Sequence, residues 1–167
     1  MGSSDRIVNL VFAASCIVLV AMAAARYWNP GRQVQARESF LQQGTPDPFG
    51  LPVSDDSDPL LCVFVSSNCP VCSDSLPFYR RLAEGAVKSP GGVRLMFVSM
   101  EPQDSLRAYL QTGGIPSPRV AWVGRPLGIP GTPCILLLDR SRRVERSWAG
   151  RLSGRQEREI EALVLAK

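Results

Sequence analysis

Cys69-Pro70-Val71-Cys72 has the spacing of a working dithiol. Two thiols three positions apart at a helix start lie one turn from each other. The first can attack a disulfide and the second can close on it. The first would stand where unsatisfied helix N–H groups and the positive dipole end favour thiolate. Pro70 suits the first helical turn and stiffens it. The same spacing could be half of a zinc site, but the chain has no second CxxC and no histidine to complete four ligands. The lack of histidine also removes imidazole acid–base chemistry, His-based triads and His-ligated haem.

A second signal lies further along, in Gly131-Thr132-Pro133-Cys134. A proline entering a strand gives up a ladder hydrogen bond, and a cis X–Pro bond is a common reason for one there. A cis bond would leave the Thr132 backbone facing outward, free to pair with an extended substrate strand. Cys62 and Cys134 fall in apolar runs, where a free cysteine behaves as a small hydrophobe. The sharper reading of Cys134, next to Pro133, is a third redox thiol or soft-metal ligand. Glu101 is either a solvated loop acid or a proton relay to the dithiol.

The elements that must position these residues are legible in the apolar pattern. LLCVFVS (60–66) and VRLMFVSM (93–100) predict buried strands, and RVAWVG (119–124) a short one. A helix is predicted after Cys69, kinked by Pro77, and another over about 102–111. CILLLD (134–139) and 144–148 predict a hairpin, and Ser153 caps a closing helix. The order βαβα then ββα predicts an α/β fold, a mixed central sheet with helices on its faces.

Residues 1–28 predict an N-terminal transmembrane anchor. Ile7 to Ala25 is a nineteen-residue run with only Asn9 and Ser15 polar, about 28 Å as a helix. Arg26, Tyr27 and Trp28 suit the headgroup level. The alternative is a signal peptide cleaved near Ala25. Residues 29–59, with five prolines and three glycines, predict a linker, with a short helix at 34–43. Residues 60–167 form the domain. The net charge of +4 is uneven, with 15 basic and 9 acidic residues in 60–167. That mild excess excludes no partner but does not make a nucleic-acid binder.

Over 60–166 the chain resembles the thioredoxin superfamily. FVSSNCPVC matches its strand–turn–CxxC–helix, GTPCILLLD its TP-strand, and WAGRLSGRQEREIEALV its closing strand, glycine and helix. The anchor, and the insertion before the TP loop, make it similar to bacterial membrane-anchored members of the cytochrome-c-maturation and methylamine-dehydrogenase-maturation types. The resemblance implies a thioredoxin-like fold and a thiol–disulfide oxidoreductase with no cofactor beyond a Cys69–Cys72 disulfide. It makes Cys69 the nucleophile, Cys72 the resolving thiol, and Thr132-Pro133 the substrate groove. It implies a client protein with a disulfide or dithiol, a membrane electron donor, and a domain facing the periplasm or cell exterior, although the arginines at 26, 32 and 37 point the other way by charge. Two departures bear on activity. Val63 stands where thioredoxins carry a buried acid, and Asn68 where they carry tryptophan. The rival reading is a non-catalytic assembly factor or soft-metal carrier on the same scaffold.

Overall fold

The computed structural model describes residues 15–20, 37–38, 40–51, 58–89, 91–124 and 128–165. The chain divides into two compact units, Met1–Gln33 and Val34–Lys167. In the first, residues 15–20 are helical with exposed side chains. The rest of the predicted anchor at 7–25 lies outside the described residues. Among the described residues, no helix is long and apolar enough to cross a membrane.

The second unit runs β1 (Arg37–Glu38), β2 (Leu60–Phe64), α1 (Pro70–Asp74), α2 (Leu76–Lys88), β3 (Arg94–Ser99), α3 (Gln103–Thr112), β4 (Val120–Trp122), β5 (Cys134–Leu138), β6 (Val144–Ala149) and α4 (Gly154–Leu165). The six strands form one mixed sheet in the order β1-β6-β5-β2-β3-β4. β2, β3 and β4 are parallel, while β5 runs antiparallel to β2, and β6 to β5 and β1. The central strands β2 and β5 are buried along their whole length. Their unbroken apolar runs are what burial on both faces requires.

The two faces are covered differently, which departs from the expected helices on both. Leu61 and Val63 of β2 share one core with Phe78 and Leu82 of α2, Leu106 and Leu110 of α3, and Ile160 and Val164 of α4. The alternate residues Leu60, Cys62 and Phe64 share a second core with Cys134, Leu136, Phe49 and Leu51. All four labelled helices thus lie on one face. The reason is topological: β2, β3 and β4 step across the sheet in one direction, so two crossovers of the same hand leave α2 and α3 on the same side.

The opposite face is covered by residues 40–51, part of the predicted linker. Gly44 N–H donates to the Val144 carbonyl at 2.8 Å, and Val144 N–H to that of Thr45 at 2.8 Å. The Asp47 carboxylate accepts the N–H groups of Phe49 and Leu51, each at 2.9 Å. That turn drives Phe49 edge-on against Phe64, ring centroids 4.9 Å apart. The helix expected at 34–43 is instead strand at 37–38, paired with Ala149 and Trp148 of β6.

The break expected at Pro77 falls two residues earlier, at Ser75. Its Oγ donates to the Val71 carbonyl at 2.7 Å. Pro77 then stands in the first turn of α2, where its missing N–H costs nothing. Ser153 and Gln156 form a reciprocal cap on α4: Ser153 N–H donates to Gln156 Oε1 at 2.9 Å and Gln156 N–H to Ser153 Oγ at 3.4 Å.

Because 40–51 seals a core rather than spanning a gap, Phe49→Ala should destabilise the domain by about 3 kcal/mol. The urea midpoint measures this, and an unchanged midpoint would return the segment to the role of a tether.

Candidate active site

The site is built at the carboxyl ends of the parallel strands. Val65 N–H bonds to the Val98 carbonyl at 3.0 Å, carrying the β2–β3 ladder one residue further, before the chain turns through Ser66–Asn68. Glu101, just past β3, clamps that turn: Ser66 Oγ donates to its Oε1 at 2.6 Å and Ser67 N–H donates to the same oxygen at 2.9 Å. Cys69 N–H in turn donates to the Ser66 carbonyl at 3.2 Å. Burial raises the Glu101 carboxyl, but the hydrogen bonds from Ser66 and Ser67 outweigh it and hold the group below its ordinary range. Glu101 is therefore an engaged clamp rather than a free loop acid.

Cys69 is the N-cap of α1. Its Sγ accepts the Cys72 N–H at 3.2 Å and donates to the Thr132 carbonyl at 3.2 Å. Pro70 follows at the first helical position, as expected. Cys72 is fully buried beneath Cys69. Burial, and then its neighbour Cys69, push its thiol up to about 12.

The Thr132–Pro133 bond is cis, and three contacts fix the loop that carries it. The Pro133 carbonyl accepts the Gly150 N–H at 2.8 Å. The Cys134 thiol donates to the Gly131 carbonyl at 2.8 Å, and the Thr132 carbonyl faces Cys69. Beside it, Arg151 pairs with Asp74 at the end of α1. Sequence reading thus placed Cys69, Cys72, Thr132 and Pro133 in one locus, and they meet there.

Cys134 does not join them. Strand alternation turns it into the second core, with Cys62, while Cys72 lies in the helical core. Burial pushes Cys134 up to about 12 and raises Cys62 further, with Asp47 adding to it. Its thiol ties down the Gly131 carbonyl instead of facing the dithiol.

Three features of this end were not read from sequence. Tyr109 on α3 shares a hydrogen bond with Ser73 of α1, 3.3 Å between the oxygens. Trp122 is 52% exposed, yet its indole N–H donates to the Met100 carbonyl at 3.2 Å. The ring lies over Gly124, where a Cβ would meet it at 2.5 Å. The third is the edge-on contact of the Tyr79 ring with Phe97, centroids 5.9 Å apart, in the core that also holds Cys72. A short edge strand, a loop glycine and a helix-face tyrosine carry no local signal for any of these.

Two measurements follow from this burial and clamping. Alkylation of the native, reduced chain should label Cys69, and reach Cys62, Cys72 and Cys134 only after unfolding; peptide mass spectrometry reads the order. A carboxyl held low stabilises the fold above its unfolded value, about 4.3, and that contribution drains away as pH falls through the lowered one. The loss of urea stability between pH 7 and pH 3 should therefore shrink in Glu101→Gln.

No family model matches the chain, and no curated relative matches it by sequence. Its likeness is to solved structures. A thioredoxin-family thiol:disulfide interchange protein from Chlorobium tepidum aligns with a TM-score of 0.54 at 20% identity, over 74% of this chain and 96% of that one. A thiol-disulfide isomerase from Corynebacterium glutamicum gives 0.53 at 17% identity, over 76% and 96%. StoA from Bacillus subtilis gives 0.51 at 16% identity, over 66% and 84%. At such identities it is the architecture that is shared. The Val34–Lys167 unit has the thioredoxin-like α/β fold, with Cys69-Pro70-Val71-Cys72 at the carboxyl end of its parallel strands.

Proposed function

We propose that the chain is a membrane-tethered thiol–disulfide oxidoreductase whose dithiol is Cys69 and Cys72. The observation that carries this reading is the asymmetry of the pair. Cys69 is partly exposed, its sulfur between the Cys72 N–H and the Thr132 carbonyl, while Cys72 is buried with its thiol pushed up to about 12. One thiol is placed to meet a client, the other to be met only from within.

In the reducing direction the Cys69 thiolate attacks a client disulfide. A Cys69–client S–S bond forms and the client's other sulfur leaves as a thiolate that takes up a proton. Cys72 then attacks Cys69, losing its own proton. The Cys69–Cys72 bond forms, the mixed disulfide breaks, and the client leaves with both its sulfurs reduced. Two electrons pass from the dithiol to the client, and a membrane electron donor returns them. Thr132 and Pro133 form the wall along which an extended client segment lies, and Glu101 is a positioning residue acting through the 66–68 turn.

The tether rests on the apolar run at 7–25 and the Arg26-Tyr27-Trp28 group behind it. The resemblance to membrane-anchored thioredoxin-like proteins supports a bacterial inner-membrane location with the domain facing the periplasm or exterior.

Cys69→Ser should reduce turnover of a disulfide client to the uncatalysed rate, and Cys72→Ser should accumulate a Cys69–client adduct visible on non-reducing gels. Intact biological function in Cys69→Ser, with no client reduction, would favour the assembly-factor or soft-metal reading. Glutathione equilibration gives the direction: a potential near about −270 mV marks a reductase, and one near about −120 mV an oxidant.

A further inference from the structure

Among the described residues of the Val34–Lys167 unit, the exposed large apolar side chains are Val87, Met100, Trp122 and Leu165. Val87 and Leu165 stand in the last turns of α2 and α4. Met100 and Trp122 stand together at the carboxyl ends of β3 and β4, the end that carries the dithiol. Met100 is 59% exposed, more than an isolated core-forming side chain at a strand exit needs to be.

Trp122 is fixed as well as uncovered. Val123 N–H donates to the Ser99 carbonyl at 2.9 Å, so the β3–β4 ladder runs on past it. Ala121 and Val123 turn into the second core, which sends Trp122 to the opposite face, the one that carries Cys72 and the helices. Its indole N–H is held by the Met100 carbonyl at 3.2 Å. Gly124 leaves the ring its place, since a Cβ there would meet it at 2.5 Å. With its polar edge occupied by backbone, the side chain offers its apolar surface outward. An aromatic ordered in advance loses little freedom on binding.

This patch is continuous with the surface that a client must cover to reach Cys69. Met100 leads into Glu101, whose carboxylate holds Ser66 and Ser67 of the turn before Cys69. β2 and β4 are two positions apart in the sheet, about 10 Å. A protein interface of ordinary size covers about 800 Å² on each partner, a disc of about 16 Å radius. One centred on Cys69 takes in Trp122, and buried aromatics carry a large share of the binding in such interfaces. We propose that Trp122 and Met100 form an apolar docking site for the client, selecting protein disulfides flanked by aliphatic or aromatic side chains. This rests on Cys69 being the nucleophile. β5 and β4 lie on opposite sides of β2. Thr132 and Pro133 therefore meet the client's backbone on one side of Cys69, and Trp122 meets its apolar side chains on the other.

The test uses the full chain in mild detergent with Cys16→Ser, reduced beforehand. Two short peptides carry one cysteine as a mixed disulfide with 2-nitro-5-thiobenzoate. One has leucine and phenylalanine beside the cysteine, the other serine at both places. Attack by the Cys69 thiolate forms a Cys69–peptide S–S bond and breaks the old one. The coloured thionitrobenzoate leaves with the electron pair, and Cys72 then closes on Cys69 and frees the peptide as a thiol. The readout is the ratio of the two second-order rate constants, which a general loss of activity does not move. It should favour the apolar peptide at least about tenfold and fall toward one in Trp122→Ala. Gly124→Ala, which keeps the tryptophan but displaces its ring, should lower the ratio too. Equal rates for the two peptides, or a preference kept in Trp122→Ala, overturn the proposal. So does a chain that sediments as a dimer but as a monomer in Trp122→Ala, which would give the patch to a second copy. Undiminished release in Cys69→Ser would sink the dithiol reading itself, whereas release lost there with an unmoved ratio in Trp122→Ala overturns only the docking site.

Discussion

The register that sets Phe64 opposite Cys134 decides where chemistry can happen in this domain. It brings the exit of β2 beside the approach to β5. The turn carrying Cys69 therefore faces the loop carrying Thr132 and Pro133, though the two are 63 positions apart in the chain. A slip of one residue would turn every side chain of β2 to the other core. Cys69 would then no longer sit over the Thr132 carbonyl. The remaining features serve that register: Gly150 holds Pro133, Cys134 holds Gly131, and Glu101 holds the turn from the β3 side.

Placing all the labelled helices on one face leaves the other needing a different cover, and a segment without helix or long strand supplies it. Asp47 is central to that cover. Its carboxylate satisfies two backbone donors that would otherwise be stranded as Phe49 and Leu51 enter the core. The central strands β2 and β5 are thereby buried on both faces, with helical packing on one side and side-chain-capped turns on the other.

The parts legible in the sequence were those with strong local periodicity or fixed spacing. The five longer strands and the helices followed from apolar runs and helical recurrence, and the dithiol and TP loop from their motifs. The cover at 40–51 was not legible, because its prolines, glycines and Asp47 have the composition of a tether. Its distant contacts, Phe49 with Phe64 and Gly44 and Thr45 with Val144, show otherwise. β1 is two residues long, too short for any pattern. Glu101 stands out in the sequence, but its hydrogen bonds with Ser66 and Ser67 come from strand order, which its neighbours in sequence do not encode.

The division of the buried cysteines between two cores has a further consequence. Cys72 lies under the helices, whereas Cys62 and Cys134 lie beneath the 40–51 cover. Proteins open in parts as well as wholly. Lifting of that cover would bare two sulfurs while the helical layer stays closed, and loosening of α1 would bare the third. The molecule thus carries its own pair of separate reporters, one for each side of the sheet, and thiol exposure can tell which layer breathes.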